Sequence, residues 1–179
     1  MKKIITLIFL AALANGVHAQ KAQMLFYGVI EEGILIDPSG DETVKNKKQK
    51  PIKDVKVSVF SAGELISTNQ SKETGFYGVL LKSGGTYDVV FEKEGYFKKK
   101  YQMNCKKLEH PSDGSALKCL IDIDLFKAVD VAELNDLSQK PFGICSVIRN
   151  QIQWDTEAMH KNKVTFFELA QPAYMKNVK

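Results

Sequence analysis

Two cysteines are the residues of this sequence whose types and spacing most directly suggest chemistry. Cys105 and Cys119 fall on two consecutive predicted strands, at positions that both point inward. If those strands pair, residue 105 stands opposite residue 119, at a spacing that a disulfide can span. In an oxidising compartment, a count of three cysteines indicates one bridge and one free thiol. We therefore predict a Cys105–Cys119 disulfide, with two separate buried thiols as the alternative.

No combination of a nucleophile and a base in the sequence indicates an enzyme. Cys145 and His160 could form a thiol–imidazole pair, but no local motif supports such a hydrolase. A metal site that uses His110 between the cysteines lacks a fourth ligand. The sequence contains no His-Glu-x-x-His zinc helix, no nucleophile-elbow serine and no phosphate-binding glycine loop. We predict that the chain is not an enzyme and uses neither a cofactor nor a metal; hydrolase activity is the least favoured alternative.

Aromatic and basic side chains provide the candidate binding residues. They come from one short stretch and from the single tryptophan: Tyr96, Phe97, Lys98, Lys100 and Trp154. Such residues could contact a protein partner or stack on a glycan. Lysines on a strand also protect a sheet edge, and a lone tryptophan is more typical of packing in a core.

The first 19 residues have the pattern of an export signal. Lys2 and Lys3 precede a mostly apolar run over 4–14, and small residues occupy the positions before a cleavage site at Ala19. The apolar run is shorter than the roughly 20 residues that a membrane-spanning helix needs. We expect cleavage after Ala19, a periplasmic, secreted or cell-envelope location, and no membrane span.

The charge balance argues against one class of partner. Removal of Lys2 and Lys3 with the signal takes 25 basic residues to 23, against 21 acidic residues, which leaves a net charge of +2. A dedicated nucleic-acid-binding domain has a much stronger basic excess. We therefore expect no nucleic-acid partner.

Apolar and polar residues alternate from residue 24 to residue 126, with turn residues every eight to twelve positions. Inward rows such as Val55-Lys56-Val57 and Tyr87-Asp88-Val89-Val90-Phe91 are typical of half-buried strands. About seven short strands with this spacing predict an antiparallel β-sandwich, transthyretin-like or immunoglobulin-like.

The pattern changes after residue 127. Asp130 and Glu133 could cap a short helix, and the segments 143–148 and 151–154 could pair as strands. The apolar residues of 155–175 fit neither the helical nor the strand period. We predict a small C-terminal α/β appendage that packs on the sandwich.

Three segments of the strand-rich region carry recognisable motifs. Residues 51–59 read Pro-Ile-Lys-Asp-Val-Lys-Val-Ser-Val, 71–77 read Ser-Lys-Glu-Thr-Gly-Phe-Tyr, and 85–96 read Gly-Thr-Tyr-Asp-Val-Val-Phe-Glu-Lys-Glu-Gly-Tyr. In order and spacing they resemble the motifs of the carboxypeptidase regulatory-like domain, a transthyretin-like sandwich. Asp54 and Lys72 depart from that pattern, since the family usually has Gly and Asp there.

The resemblance covers about residues 26–126. It implies a non-catalytic binding, folding or scaffolding accessory and carries over no catalytic residues. We divide the chain into a signal peptide (1–19), a carboxypeptidase regulatory-like sandwich (20–126) and an appendage (127–179). The predicted function is protein interaction or scaffolding with an envelope protein partner, and glycan binding at the cell surface is the alternative.

Overall fold

The computed structural model describes residues 21–33 and 49–177, the side chain of residue 177 excepted. The predicted export signal lies outside these described residues. The described residues form strands and helices with the following bounds: β1 Gln23–Glu32, β2 Lys56–Ser61, β3 Glu64–Gln70, β4 Phe76–Lys82, β5 Thr86–Glu92, β6 Lys99–Lys107, β7 Leu117–Leu120, β8 Ile123–Leu125, α1 Ala132–Gln139, β9 Gly143–Ile148, β10 Gln151–Trp154 and α2 Thr156–Asn177.

The strands form two sheets, and the fold is a β-sandwich with a small C-terminal appendage, as predicted. One sheet has four strands in the order β4-β1-β7, with β8 also paired to β1; the other has six, in the order β10-β9-β6-β5-β2-β3. Most neighbours are antiparallel, but β1 pairs in parallel with β7 and β8, and β6 pairs in parallel with β9. The appendage thus extends the larger sheet by two strands.

The last predicted strand of the sandwich is split into β7 and β8. Between them the backbone crosses close over Gly28, where a Cβ atom would overlap the carbonyl oxygen of Ile121. The Ile121 N–H donates to the Tyr27 carbonyl at 3.0 Å, and Asp122 Oδ1 accepts the Val29 N–H at 2.9 Å. This close approach explains why the described residues before position 127 form eight strands rather than about seven.

The predicted inward rows form the core between the sheets. Val57, Val89 and Phe91 are fully buried. The Phe91 ring centroid lies 4.9 Å from that of Tyr77, which belongs to the opposite sheet. Tyr87 is only half-buried, because it lies near the end of its row and its hydroxyl donates to the Lys82 carbonyl at 3.0 Å.

A buried serine holds the turn in which the sequence departs from the family motif. Ser71 is 4% exposed; its hydroxyl donates to the Ile52 carbonyl at 2.8 Å and accepts the Val55 N–H at 3.0 Å. Gly75 completes the turn with a positive φ of 74°. The turn therefore needs no aspartate at the position of Lys72.

The C-terminal helices differ from the sequence-based expectation. Helix α1 begins after Val131, with no side-chain hydrogen bond at its N-terminus, so the predicted Asp130–Glu133 cap is wrong. Helix α2 covers most of residues 155–175, whose apolar residues fitted neither the helical nor the strand period. Because only Phe166 and Ala170 of this helix are fully buried, its apolar stripe is weak, and the sequence gives little periodic signal.

Candidate functional site

The predicted binding residues have separate structural roles. Trp154 is half-buried, and its ring centroid lies 6.5 Å from that of Phe26 and 6.2 Å from that of Tyr101. Phe97 is buried, with its ring centroid 4.8 Å from that of Phe166. Within the described residues, no hydrogen bond or ring contact joins Trp154 to the other candidates. These residues therefore do not form one exposed aromatic platform.

The remaining predicted binding residues lie around the start of β6. The Tyr96 hydroxyl donates to Glu32 Oε2 at 3.2 Å, and burial followed by the charge of Glu32 raises the pKa of this tyrosine. Lys98 is half-buried, and Lys100 Nζ lies 3.8 Å from Asp88 Oδ2. The Tyr96 hydroxyl and the Lys100 ammonium group are therefore engaged with neighbours on the protein's own surface.

The strand pairing behind the predicted Cys105–Cys119 bridge is wrong. Cys105 lies on β6, which pairs with β5 and β9, whereas Cys119 lies on β7, which pairs with β1 in the other sheet. The chain between β6 and β7 crosses from one sheet to the other instead of making a hairpin. The three cysteines, Cys145 included, are buried free thiols in this structure.

Burial makes Cys105 and Cys119 poor nucleophiles. It raises the pKa of Cys105 to about 12, with a smaller contribution from the nearby Cys145. The pKa of Cys119 is also raised, through its hydrogen bond to the Cys145 thiol and through burial. The pKa of Cys145 is instead lowered, mainly through its hydrogen bond with the Cys119 thiol. His160 is exposed on α2, and no hydrogen bond within the described residues joins it to Cys145. In the same part of the chain, no group of three or more His, Cys, Asp or Glu side chains could hold a metal ion.

A buried lysine lies where the appendage meets the sandwich. Lys99 is 3% exposed, and its ammonium nitrogen lies 4.2 Å from the ring centroid of Phe142 and 4.7 Å from that of Phe126. Burial lowers the pKa of Lys99 to about 7, against the opposing effect of Asp124 and with a small further lowering by Lys163. The sequence could have indicated the burial of Lys99, because this residue lies two positions before Tyr101 and therefore in the same inward row.

Strand β3 is an open edge of the six-stranded sheet. All seven of its residues are exposed, and the side chains of Leu65 and Ile66 are each 57% exposed. No other strand of the described chain pairs with its outer side. An unpaired row of backbone N–H and C=O groups of this kind can accept another strand.

The hydrogen-bond pattern identifies the backbone groups that point away from the sheet. The Ser71 N–H donates to the Val55 carbonyl at 2.9 Å, and the register continues with Asn69 opposite Val57. Hydrogen-bonded and non-hydrogen-bonded pairs alternate along an antiparallel ladder. The N–H and C=O groups of Asn69 therefore face β2, whereas those of Thr68 and Gln70 face the open side.

An open groove of about 630 Å³ runs between β3 and the neighbouring edge strand β4 of the other sheet. The Asn69 side-chain amide donates to the Gly78 carbonyl across it at 3.4 Å. On the β4 side, Phe76 is 37% and Leu80 58% exposed, and Lys72 Nζ lies 5.5 Å from the Phe76 ring centroid. Apolar surface therefore adjoins the open edge.

Charge is confined to the two ends of this edge. Glu64 begins the strand, Lys72 follows it by two residues, and residues 65–71 are uncharged. Natural edge strands are usually protected from pairing by lysine, proline or an inward-pointing charge. The central part of β3 lacks these residues, and its uncharged run is the sequence signal that could have identified it.

A second concavity, of about 670 Å³, lies at the ends of β6 and β9. It combines Lys106, Lys107 and Arg149 with Glu109, and none of its lining residues is aromatic. It therefore lacks the stacking surface on which the glycan-binding alternative depends.

Comparison with known proteins identifies no family. No protein-family model matches the chain, and no curated protein matches it. No helix of the described residues is long and apolar enough to cross a membrane.

Several solved structures resemble part of the fold at low identity. The TIE protein of Bacillus anthracis is 12% identical, with a TM-score of 0.38, over 60% of this chain and 18% of that one. Catechol 1,2-dioxygenase from Acinetobacter sp. ADP1 is 13% identical, with a TM-score of 0.40, over 65% and 56%. Shaft pilin SpaA from Lactobacillus rhamnosus GG is 12% identical, with a TM-score of 0.35, over 63% and 52%. This chain covers less than two thirds of each, and similarity at this level carries no argument about function.

Proposed function

We propose that this chain is an exported, non-catalytic protein of the periplasm or cell envelope that binds a partner protein by accepting one of its strands along β3. The observation that carries this proposal is the seven-residue edge itself, exposed throughout and uncharged between Glu64 and Lys72. Strand addition of this kind takes its affinity from main-chain hydrogen bonds and its specificity from the side chains at alternate positions. The three sequence motifs support a further assignment to the carboxypeptidase regulatory-like class.

The edge defines the chemistry of its partner. An antiparallel partner strand would bond to the outward groups of Thr68 and Gln70 and would be uncharged in its centre. It would place a basic residue opposite Glu64 and an acidic residue opposite Lys72. An apolar side chain of the partner would cover the exposed carbons of Leu80. A glycan, by contrast, would need exposed aromatic rings, and Phe97 and Trp154 are used in packing.

A proline substitution in β3 tests the proposal. Thr68→Pro removes an N–H that faces the open side, so it should block strand addition while costing the sheet no ladder hydrogen bond. Thr68→Val is the matched control, since it keeps the N–H and the side-chain shape. The immobilised wild-type protein should retain a partner from an extract of the cell envelope, identified by mass spectrometry and then purified for titration.

The purified partner should bind Thr68→Val within a few fold of wild type and Thr68→Pro at least tenfold more weakly. Thermal unfolding of both variants should remain cooperative, which separates loss of the edge from loss of the fold. Equal binding of the partner to both variants would refute a strand-addition mechanism at β3.

A further inference from the structure

Cys119 and Cys145 approach each other from opposite sheets. Cys119 on β7 is the register partner of Phe26, and Cys145 on β9 is the register partner of Trp154. The ring centroids of Phe26 and Trp154 are 6.5 Å apart across the core. Since neighbouring strands lie about 5 Å apart, the two cysteines occupy adjoining positions in facing rows. Both are at most 1% exposed, so the two thiols lie inside the core.

Among the three cysteines, these two are the pair in hydrogen-bond contact, thiol to thiol. Cys105 lies on β6, two residues beyond Met103, which is the register partner of Cys145. It therefore belongs to the same buried group, but one position further along the sheet. The sequence predicted a pair of cysteines within one hairpin. The topology instead places the neighbouring cysteines in two different sheets.

We infer that Cys119 and Cys145 form a disulfide between the two sheets, and that Cys105 is the remaining buried thiol. The oxidant would be a small or protein disulfide, R–S–S–R. One cysteine thiolate attacks it to form a mixed disulfide and releases RS⁻, and the second thiolate then displaces the other RS⁻. The two cysteine sulfurs lose two electrons and two protons, and the oxidant leaves as two thiols. Because both thiols are buried in the folded protein, this exchange takes place before the core closes.

This bridge would connect the sandwich to the appendage, since β7 belongs to the first and β9 to the second. It would close a loop of about 25 residues, which in the chain-entropy model restricts the unfolded chain considerably. We expect the thermal midpoint of the oxidised protein to lie roughly 5–10 °C above that of the reduced protein. The inference is independent of strand binding at β3.

Peptide mapping tests the pairing directly, because the three cysteines fall in separate tryptic peptides, 101–106, 119–127 and 128–149. The reduced, unfolded mature protein would be refolded in a mixture of reduced and oxidised glutathione. It would then be unfolded again without reductant, alkylated and digested. We expect peptides 119–127 and 128–149 to be joined, and peptide 101–106 to be alkylated at Cys105. Alkylation of all three cysteines, or a link that includes Cys105, would overturn the inference.

Cysteine variants provide a second readout. Cys105→Ala should keep the joined peptides and the fall in thermal midpoint that reductant causes. Cys119→Ala and Cys145→Ala should each lose both. If Cys105→Ala also abolishes the sensitivity to reductant while remaining folded, the bridge has a different partner and the assignment is wrong.

Discussion

The two edge strands of the six-stranded sheet differ in length and in exposure. At one edge, β10 has only four residues, its Trp154 packs on Phe26 and Tyr101, and α2 follows almost at once. At the other edge, β3 has seven residues that are all exposed. Short, packed edges prevent unwanted pairing, whereas a long uncharged edge allows it. The C-terminal residues of the chain therefore protect one side of the sheet and leave the other side available.

The packing of α2 on the sandwich should carry far more of the folding free energy than the open edge at β3. Phe166 is fully buried, with its ring centroid 4.8 Å from those of both Phe97 and Phe126, whereas Ile66 is 57% exposed. We expect Phe166→Ala to cost about 3–5 kcal/mol through lost burial and a cavity. The matched variant Ile66→Ala should stay within about 0.5 kcal/mol of wild type. Denaturant titrations of both variants measure this difference, and equal losses would break the comparison.

The contact between the appendage and the sandwich should also make stability depend on pH through Lys99. Its folded-state pKa of about 7 lies below its usual value of 10.5. Between these values the unfolded chain binds more protons than the folded one, so the destabilisation that the charged, buried amine causes is relieved as the pH rises above 7. Relative to Lys99→Met, which lacks the amine, wild type should gain about 2 kcal/mol from pH 6.5 to pH 8.5.

Denaturant titrations at the two pH values provide that comparison. Lys100→Met is the control. Lys100 is the next residue on the same strand, but its side chain, unlike that of Lys99, is accessible and is paired with Asp88. The stability of Lys100→Met should follow that of wild type across the same range. A constant difference between wild type and Lys99→Met would show that the buried amine does not titrate in this range.

At the open edge, charge reversal should affect binding rather than stability. Glu64→Lys and Lys72→Glu each place a like charge opposite the proposed partner residue, so each should weaken binding by about three- to tenfold. The effect should decrease at high salt, because exposed charges are screened. Titration of the captured partner at low and high salt measures it. Unchanged affinity for both variants would argue against the proposed antiparallel register.

Much of the fold was predictable because the sandwich strands follow a period of two. The inward row around Val89 and Phe91 is buried as predicted, and β9 pairs with β10 as predicted. These features depend on the local alternation of apolar and polar residues and on short turns, both of which can be recognised directly in the sequence. The prediction that β6 pairs with β7 was wrong for a nonlocal reason. The connection between the two strands is about ten residues long, and a connection of this length can lead to either sheet.

The candidate site was less predictable. The sequence marks lysines and aromatic rings as binding residues, yet Phe97 is buried and Trp154 packs on Phe26 and Tyr101. An open edge depends on which strand lacks a neighbour, and that follows from the order of all strands in the sheet. The uncharged residues of β3 were visible in the sequence, but their position at the end of the sheet was not.

Hydrogen exchange of single backbone amides is the most direct test of the open edge at β3. In the free protein, the amides of Thr68 and Gln70 should exchange quickly, because they face the open side, while that of Asn69, which faces β2, should exchange slowly. On addition of the captured partner, Thr68 and Gln70 should become protected, and the amides of β10 should not change. Protection confined to β10 or to β4, with Thr68 and Gln70 still exchanging quickly, would contradict the account.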